Sequence, residues 1–306
     1  MTAARWRTLS VALMAGAATL HAQQPLFRVG VEVVRLDVSV TRDRQPVTGL
    51  GLADFEVRDN GKRQRLTGIL REEVPLDVYF VFDASGSVEG EKLGHLRRAA
   101  HAFLGGLAPG DQAGLLVFSH QVSRLLPLTA DVGAVRRAVD GIEPAGQTAL
   151  DDGLYAALLQ RWPNERRAVA VVFSDGMENM SWLTDDVVVE AARRFDVVVY
   201  GVTLTPEPDA ETLLTGPGRY SASEVLPPKE NELLRQVAAT TAGRLWTAGS
   251  SGKLEEMFVG VLREIRSRYL LTYEPEPAGR PGWHTVQVKV KGGRNIVTSR
   301  PGYYAR

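Results

Sequence analysis

Two carboxylates and three hydroxyls, set in three short stretches, are the side chains of this sequence best placed to do chemistry. The first stretch is Asp83-Ala84-Ser85-Gly86-Ser87, the second Gly146-Gln147-Thr148-Ala149, and the third Phe173-Ser174-Asp175-Gly176. All five groups are hard oxygen donors, the kind that Mg²⁺ and Mn²⁺ prefer, whereas softer metals favour imidazole and thiolate. In Asp-x-Ser-x-Ser, alternate positions project three side chains toward one point from a tight loop, and Gly86 eases the turn. Two carboxylates balance the charge of a dication, while hydroxyls are neutral ligands. The ion therefore stays electrophilic and keeps an open position that an acidic group on a partner can fill.

Composition removes most competing chemistries. The chain of 306 residues has no Cys and five His, so disulfides, thiol nucleophiles, iron–sulfur centres and cysteinyl zinc are excluded. It is 44% hydrophobic and 24% charged, which is globular and rules out bulk disorder. The 36 basic residues equal the 36 acidic ones, so nothing in the net charge argues for nucleic acid. His95 and His101 share one predicted helix but not one face, and there is no His-Glu-x-x-His zinc pattern. Neither a Gly-x-Ser-x-Gly elbow nor a Gly-Lys-Ser/Thr phosphate loop occurs. Arg161, Arg166, Arg167, Arg193 and Arg194 lie at helix ends or strand starts, where they solvate helix C-termini.

The elements that must position these groups alternate. The run 76–82 is apolar except for Asp77 and suits a strand covered on both faces. Further strands are predicted at 113–118, 167–173 and 196–202. Helices are predicted at 93–107, 132–140, 149–160, 185–195, 230–241 and 254–266, the first with Leu93, Leu96, Ala100, Phe103, Leu104 and Leu107 on one stripe. Such alternation predicts a mostly parallel sheet with helices on both faces. The three stretches then fall where such sheets bind ligands, at strand carboxyl ends and a helix start.

The ends of the chain read differently. Residues 1–22 have Arg5 and Arg7, an apolar run at 9–20 and a small residue before the junction, the order of a cleaved secretory signal. The run falls short of the roughly 20 residues that span a bilayer, so an exported chain without an anchor is expected, two charges negative once Arg5 and Arg7 are lost. From 27 to 74 and from 267 to 306 the pattern is β-only. Val34, Leu36, Val38 and Val40 alternate with polar residues, Asn60-Gly61 marks a hairpin, and a second hairpin is expected from 286 to 300 about Gly292-Gly293. Neither segment is large enough for its own core. The expectation is one small β-sandwich built from both, with an α/β domain at 75–266 inserted between them.

Asp83-x-Ser85-x-Ser87, Thr148 and Asp175 together resemble the metal-ion-dependent adhesion site of von Willebrand factor A domains, and Asp111-Gln112-Ala113-Gly114-Leu115-Leu116-Val117-Phe118-Ser119 looks like that family's second strand. The resemblance spans 75–266 and implies a Rossmann-like domain. With the flanking segments and signal, the whole chain resembles the exported VWFA-related proteins of Acidobacteria. It implies that Ser85, Ser87 and Thr148 are direct or near-direct ligands of Mg²⁺ or Mn²⁺, and that Asp83 and Asp175 bind directly or through water. Gln147 departs from the family's usual glycine and touches loop shape only. Glu89 and Glu91 do not reproduce the second acidic site of integrin β subunits.

Each stretch alone has a plainer reading: a strand-to-helix turn at Asp83, a helix N-cap at Thr148, an ordinary turn at Asp175. Trp162, Trp182 and Trp246 read as core or rim aromatics, with a lip at 177–182 that touches a ligand as the alternative for the segment after Asp175. The functional expectation is a non-enzymatic, exported binding module that takes a Glu or Asp of a protein ligand on its metal. The alternatives are a metal-dependent phosphoesterase with Asp83 or Asp175 as nucleophile or base, and a structural module whose cation staples loops. Against the phosphoesterase, Lys92 is the closest lysine in sequence and sits on a predicted helix. The oligomeric state is not legible.

Overall fold

Every side chain of the strand Leu76–Asp83 is buried, alternate ones in opposite directions. Leu76, Val78, Phe80 and Phe82 enter one apolar cluster, while Tyr79 and Val81 enter another. That requires covering layers on both faces, and the sequence between the strands supplies them. The computed structural model describes residues 33–43, 45–71, 74–160, 162, 166–175, 178, 180–204, 232–276 and 281–305; the signal reading at 1–22 lies outside them. Residues Glu32–Arg306 form one compact unit.

The flanking strands open the chain: β1 (Val34–Arg42), β2 (Gln45–Pro46), β3 (Phe55–Asp59), β4 (Lys62–Gln64) and β5 (Leu66–Leu70). The α/β layer follows as β6 (Leu76–Asp83), α1 (Glu91–Gly105), β7 (Gln112–Phe118), β8 (Val122–Thr129), α2 (Val132–Asp140), α3 (Leu150–Leu158), β9 (Arg167–Ser174), α4 (Asp185–Arg194), β10 (Val198–Leu204), α5 (Glu232–Thr240), β11 (Leu245–Ala248) and α6 (Leu254–Ser267). The chain then returns to β12 (Tyr269–Tyr273), β13 (Gly282–Val290), β14 (Ile296–Ser299) and β15 (Gly302–Ala305).

Among the described residues, six strands form one sheet in the order β11-β10-β9-β6-β7-β8, parallel except for β8. Helices α1, α2 and α6 pack on one face and α3, α4 and α5 on the other. Because β6 has β7 on one side and β9 on the other, the strand order reverses at β6. A crevice for ligands belongs at the carboxyl end of that strand. The edge strands β8 and β11 escape the sequence reading: β8 carries Arg124 and Pro127 and is half exposed, so it lacks the apolar run of its neighbours.

The flanking segments do join. β1 lies between β12 and β14 in one sheet, and β3 lies between β4 and β13 in the other. Each sheet thus mixes strands from both ends of the chain. Val34, Leu36, Val38, Leu271 and Tyr273 of the first sheet share one core with Phe55, Val57, Val286 and Tyr303 of the second. Inside that core the Asp59 carboxylate accepts from Tyr273 Oη at 2.9 Å and Tyr303 Oη at 2.8 Å, and lies 2.7 Å from His284 Nδ1. Asn60 and Gly61, with φ of 46° and 80°, make the expected tight turn between β3 and β4.

The second expected hairpin is absent. Gly292 and Gly293 do turn the chain, both at positive φ, but β14 pairs with β1 while β13 pairs with β3 and β15. The connection crosses from one sheet to the other. A Gly-Gly pair specifies a reversal, not a partner. The open edge of β1 offers Ile296 and Val297 a ladder in the other sheet.

Candidate metal centre

Asp83 ends β6, and Asp175 directly follows β9, the neighbouring strand. The fold therefore brings the two carboxylates to one end of one sheet. Asp83 is fully buried, and both of its oxygens are engaged. Oδ1 accepts from Ser85 N at 2.9 Å, which bends the loop back on itself, and Oδ2 accepts from Ser174 Oγ at 2.9 Å. Burial pushes its carboxyl up to about 6, against the lowering pull of the Ser85 and Ser174 hydrogen bonds. The loop holds Ser85 Oγ and Ser87 Oγ 2.9 Å apart.

The loop carrying Thr148 is stitched to this one by backbone hydrogen bonds: Ala145 N to Ala84 O at 2.8 Å and Gly86 N to Gly146 O at 3.0 Å. Ala149 N donates to Ser119 O, at the end of β7, at 2.8 Å. Thr148 itself is buried. It is not the N-cap that its isolated sequence suggests, because α3 begins at Leu150 and its cap position is Ala149. The exposed amides of α3 are instead met from a distance. Glu178 accepts from Leu150 N and Asp151 N, and Ser181 Oγ accepts from Asp151 N at 3.1 Å and Asp152 N at 3.3 Å.

Asp175 is 7% exposed in its side chain, and its two oxygens are treated unequally. Oδ2 accepts from Lys92 Nζ at 3.2 Å, while Oδ1 is buried without a hydrogen-bond partner. Lys92 Nζ also donates to Ser87 O at 3.0 Å. Lys92, counted out of the cluster from sequence, is thus part of it. The missed signal was positional: Lys92 is the second residue of α1, and helical side chains lean toward the N-terminus, here the Ser87 loop.

The structure thus brings Asp83, Ser85, Ser87 and Asp175 to one crevice and ties the Thr148 loop to it. A buried carboxylate oxygen with no donor is costly unless a cation or proton satisfies it. Apart from Lys92 Nζ the polar side-chain groups of the cluster are oxygens, which suits a hard dication and fits the adhesion-site pattern. Among the described residues no group of three or more His, Cys, Asp or Glu is arranged to hold a metal ion, so any ion here depends on hydroxyls as well as carboxylates. His95 and His101 are engaged elsewhere, with Ser251 Oγ at 2.9 Å and Asp140 at 3.0 Å.

The segment after Asp175 rims the crevice. Met180 N donates to Thr148 O at 3.1 Å, and Met180 and Trp182 are 43% and 93% exposed. Met177 and Asn179 of the expected lip lie outside the described residues.

A family model described as von Willebrand factor type A domain matches residues 78–178, which include all five candidate ligands. Inter-alpha-trypsin inhibitor heavy chain H4 of Homo sapiens is 31% identical over 116 residues, 34% of this chain and 12% of that protein. A UPF0353 protein of Mycolicibacterium paratuberculosis is 24% identical over 197 residues, 60% of this chain and 56% of that one. The chain therefore spans between an eighth and just over half of these relatives' lengths. Proximal thread matrix protein 1 from the mussel byssus, solved with a zinc-occupied MIDAS motif, superposes with a TM-score of 0.52 at 19% identity, covering 68% of this chain and 49% of that one. A von Willebrand factor type A protein from Catenulispora acidiphila gives a TM-score of 0.50 at 14% identity, covering 82% and 72%. At such identities the solved structures speak for the fold alone: residues 78–178 match the von Willebrand factor type A domain model, and the α/β layer that contains them has the fold of that domain.

Proposed function

We propose that this chain is a binding module, not an enzyme, which holds Mg²⁺ or Mn²⁺ at Ser85, Ser87 and Thr148, with Asp83 and Asp175 binding directly or through water. A Glu or Asp of a protein ligand completes the coordination. The observation that carries this reading is the buried, partnerless Oδ1 of Asp175 beside a pair of serine hydroxyls. When bound, the cation supplies a Lewis acid with an open position, to which a partner's carboxylate adds.

The residues do the rest. Ser174 and the Ser85 amide hold Asp83 rigid, so it serves as a fixed negative charge or as an anchor for a metal-bound water. The same engagement argues against Asp83 as the nucleophile of the phosphoesterase alternative: a fully buried carboxylate with both oxygens hydrogen-bonded is poorly placed to attack phosphorus. Met180 and Trp182 offer the partner apolar contact at the rim. The bound partner is a protein, with no part for nucleic acid. Export by residues 1–22 to the periplasm or the cell exterior belongs to the same proposal. No described helix is long and apolar enough to cross a membrane.

Calorimetric titration of the purified chain with Mg²⁺ and Mn²⁺ tests the centre. Binding that Asp83→Ala abolishes is expected; no binding, or undiminished binding in the variant, defeats the reading. Capture from the native envelope fraction with and without chelator then separates a binding module, which gains a metal-dependent partner, from a loop-stapling cation, which gains none.

A further inference from the structure

Lys92 gives the cluster a cation of its own. Its Nζ lies 3.2 Å from Asp175 Oδ2 and 3.0 Å from Ser87 O, yet its side chain is 43% exposed while that of Asp175 is 7% exposed. The lysine stands at the edge of the crevice and the carboxylate within it. By taking Oδ2 and leaving Oδ1 bare, Lys92 fixes which oxygen remains for another cation.

We propose that Lys92 is a specificity-determining residue that sets the charge of the metal-loaded centre and so its preference for a carboxylate over a neutral ligand. The inference rests on the metal-binding reading above. Asp83 and Asp175 together exactly offset a dication, so without Lys92 an incoming carboxylate would leave the buried centre with one uncompensated negative charge. With Lys92 the loaded centre carries one positive charge, and a carboxylate brings it to neutrality. Uncompensated charge is expensive where water is scarce, so the lysine favours an anion and does nothing for an amide of the same shape. The same ammonium repels the incoming dication. Lys92 therefore acts in opposite directions on the two binding steps: it weakens metal uptake and strengthens carboxylate uptake. A residue that merely braced Asp175 would move both steps together.

The test uses the full chain as wild type, Lys92→Gln and Lys92→Arg, with Mn²⁺ as the metal, acetate as the carboxylate and acetamide as its neutral counterpart. Free Mn²⁺ is read by electron paramagnetic resonance, and displacement of Mn²⁺-bound water by acetate is read by proton relaxivity. Lys92→Gln is expected to bind Mn²⁺ about fivefold more tightly and, once loaded, acetate about fivefold more weakly, the size expected of a partly solvated charge. Acetamide binding stays unchanged, and Lys92→Arg keeps both affinities within about twofold of wild type. In wild type alone, rising salt weakens acetate binding and leaves acetamide unaffected, a measurement that stands even if the Gln variant folds poorly. The inference is overturned if wild type takes up Mn²⁺ but Lys92→Gln shifts both affinities the same way or neither, or if acetate binding ignores salt. If wild type takes up no Mn²⁺, the metal reading itself falls and this inference with it.

Discussion

Arg167 Nε lies 2.9 Å from Asp37 Oδ1, which joins β9, a central strand of the six-stranded sheet, to β1, an inner strand of the flanking sandwich. Arg268 approaches the same oxygen at 3.3 Å. Both guanidiniums are buried, at 2% and 0% exposure, and both are also spent on backbone. Arg167 donates to Ile265 O at 3.1 Å and Arg268 O at 3.2 Å, the end of α6. Arg268 donates to Asp37 O at 3.2 Å and Tyr200 Oη at 3.1 Å. One carboxylate thus serves two buried cations where α6 passes into β12. Asp37→Ala is expected to cost about 3–5 kcal/mol of unfolding free energy, because it strands buried charge rather than removing a pair. Urea denaturation measures it, and a loss below about 1 kcal/mol would show that the junction does not depend on Asp37.

The loop that carries Thr148 depends on Gly146. Its φ is +78°, and a Cβ there would lie 2.4 Å from His120 Nδ1, while its carbonyl accepts from Gly86 N. Gly146→Ala is therefore expected to lose about 1–3 kcal/mol and to weaken Mn²⁺ binding, since the loops of Ser85 and Thr148 move apart. Gly249→Ala is the control: its Cβ meets nothing within 4 Å, and the change should be close to neutral in both assays. Equal behaviour of the two variants would remove Gly146 from the account.

The pattern of what was legible follows from range. The strand Leu76–Asp83 announces itself because burial on both faces demands a continuous apolar run, and the loop Asp83–Ser87 stands out as a candidate because its oxygen-bearing residues crowd the end of that strand. Helix α2 is legible to its boundaries for the same local reason: Asp131 Oδ1 accepts from Ala134 N at 2.9 Å and caps it. What depends on distant partners was not legible. β14 pairs with β1 across more than 250 residues, and nothing in its four residues says so. The cap of α3 comes from Glu178, and the contact of Lys92 with Asp175 spans 83 residues. Short edge strands such as β11, half exposed, carry too little pattern to be read.

Asp151 offers a test of electrostatics beside the centre but off the ligand set. It is 5% exposed, and burial first, then Glu178, Asp185 and Asp152, push its carboxyl up to about 7. The folded chain therefore binds that proton more tightly than the unfolded chain does. Its contribution favours folding most below about pH 4 and declines as pH rises toward 7, beyond which the full cost of the buried charge is present. Asp151→Asn should raise Tm by roughly 5 °C at pH 8 and by little at pH 4.5. Melting curves at both pH values decide it; an equal shift at each would mean that the variant acts through packing and not through charge.

The last prediction concerns the frame. β1 has β12 on one side and β14 on the other, and β3 loses β13 if the C-terminal segment is removed. A chain ending at Arg268 keeps every strand of the parallel sheet and the whole of α6, but leaves β1 with only the two-residue β2 as a neighbour and β3 with only β4. Leu36, Val38, Val40 and Val57, all buried in the intact chain, then face water, and strand edges so exposed invite cleavage and self-association. Limited proteolysis followed by mass analysis should show new cuts, relative to the full chain, within residues 33–71 and none within the described strands and helices of the α/β layer. Protection of residues 33–71 equal to that in the full chain would mean that the N-terminal strands hold a core without their C-terminal partners, contrary to the shared cluster seen between the two sheets.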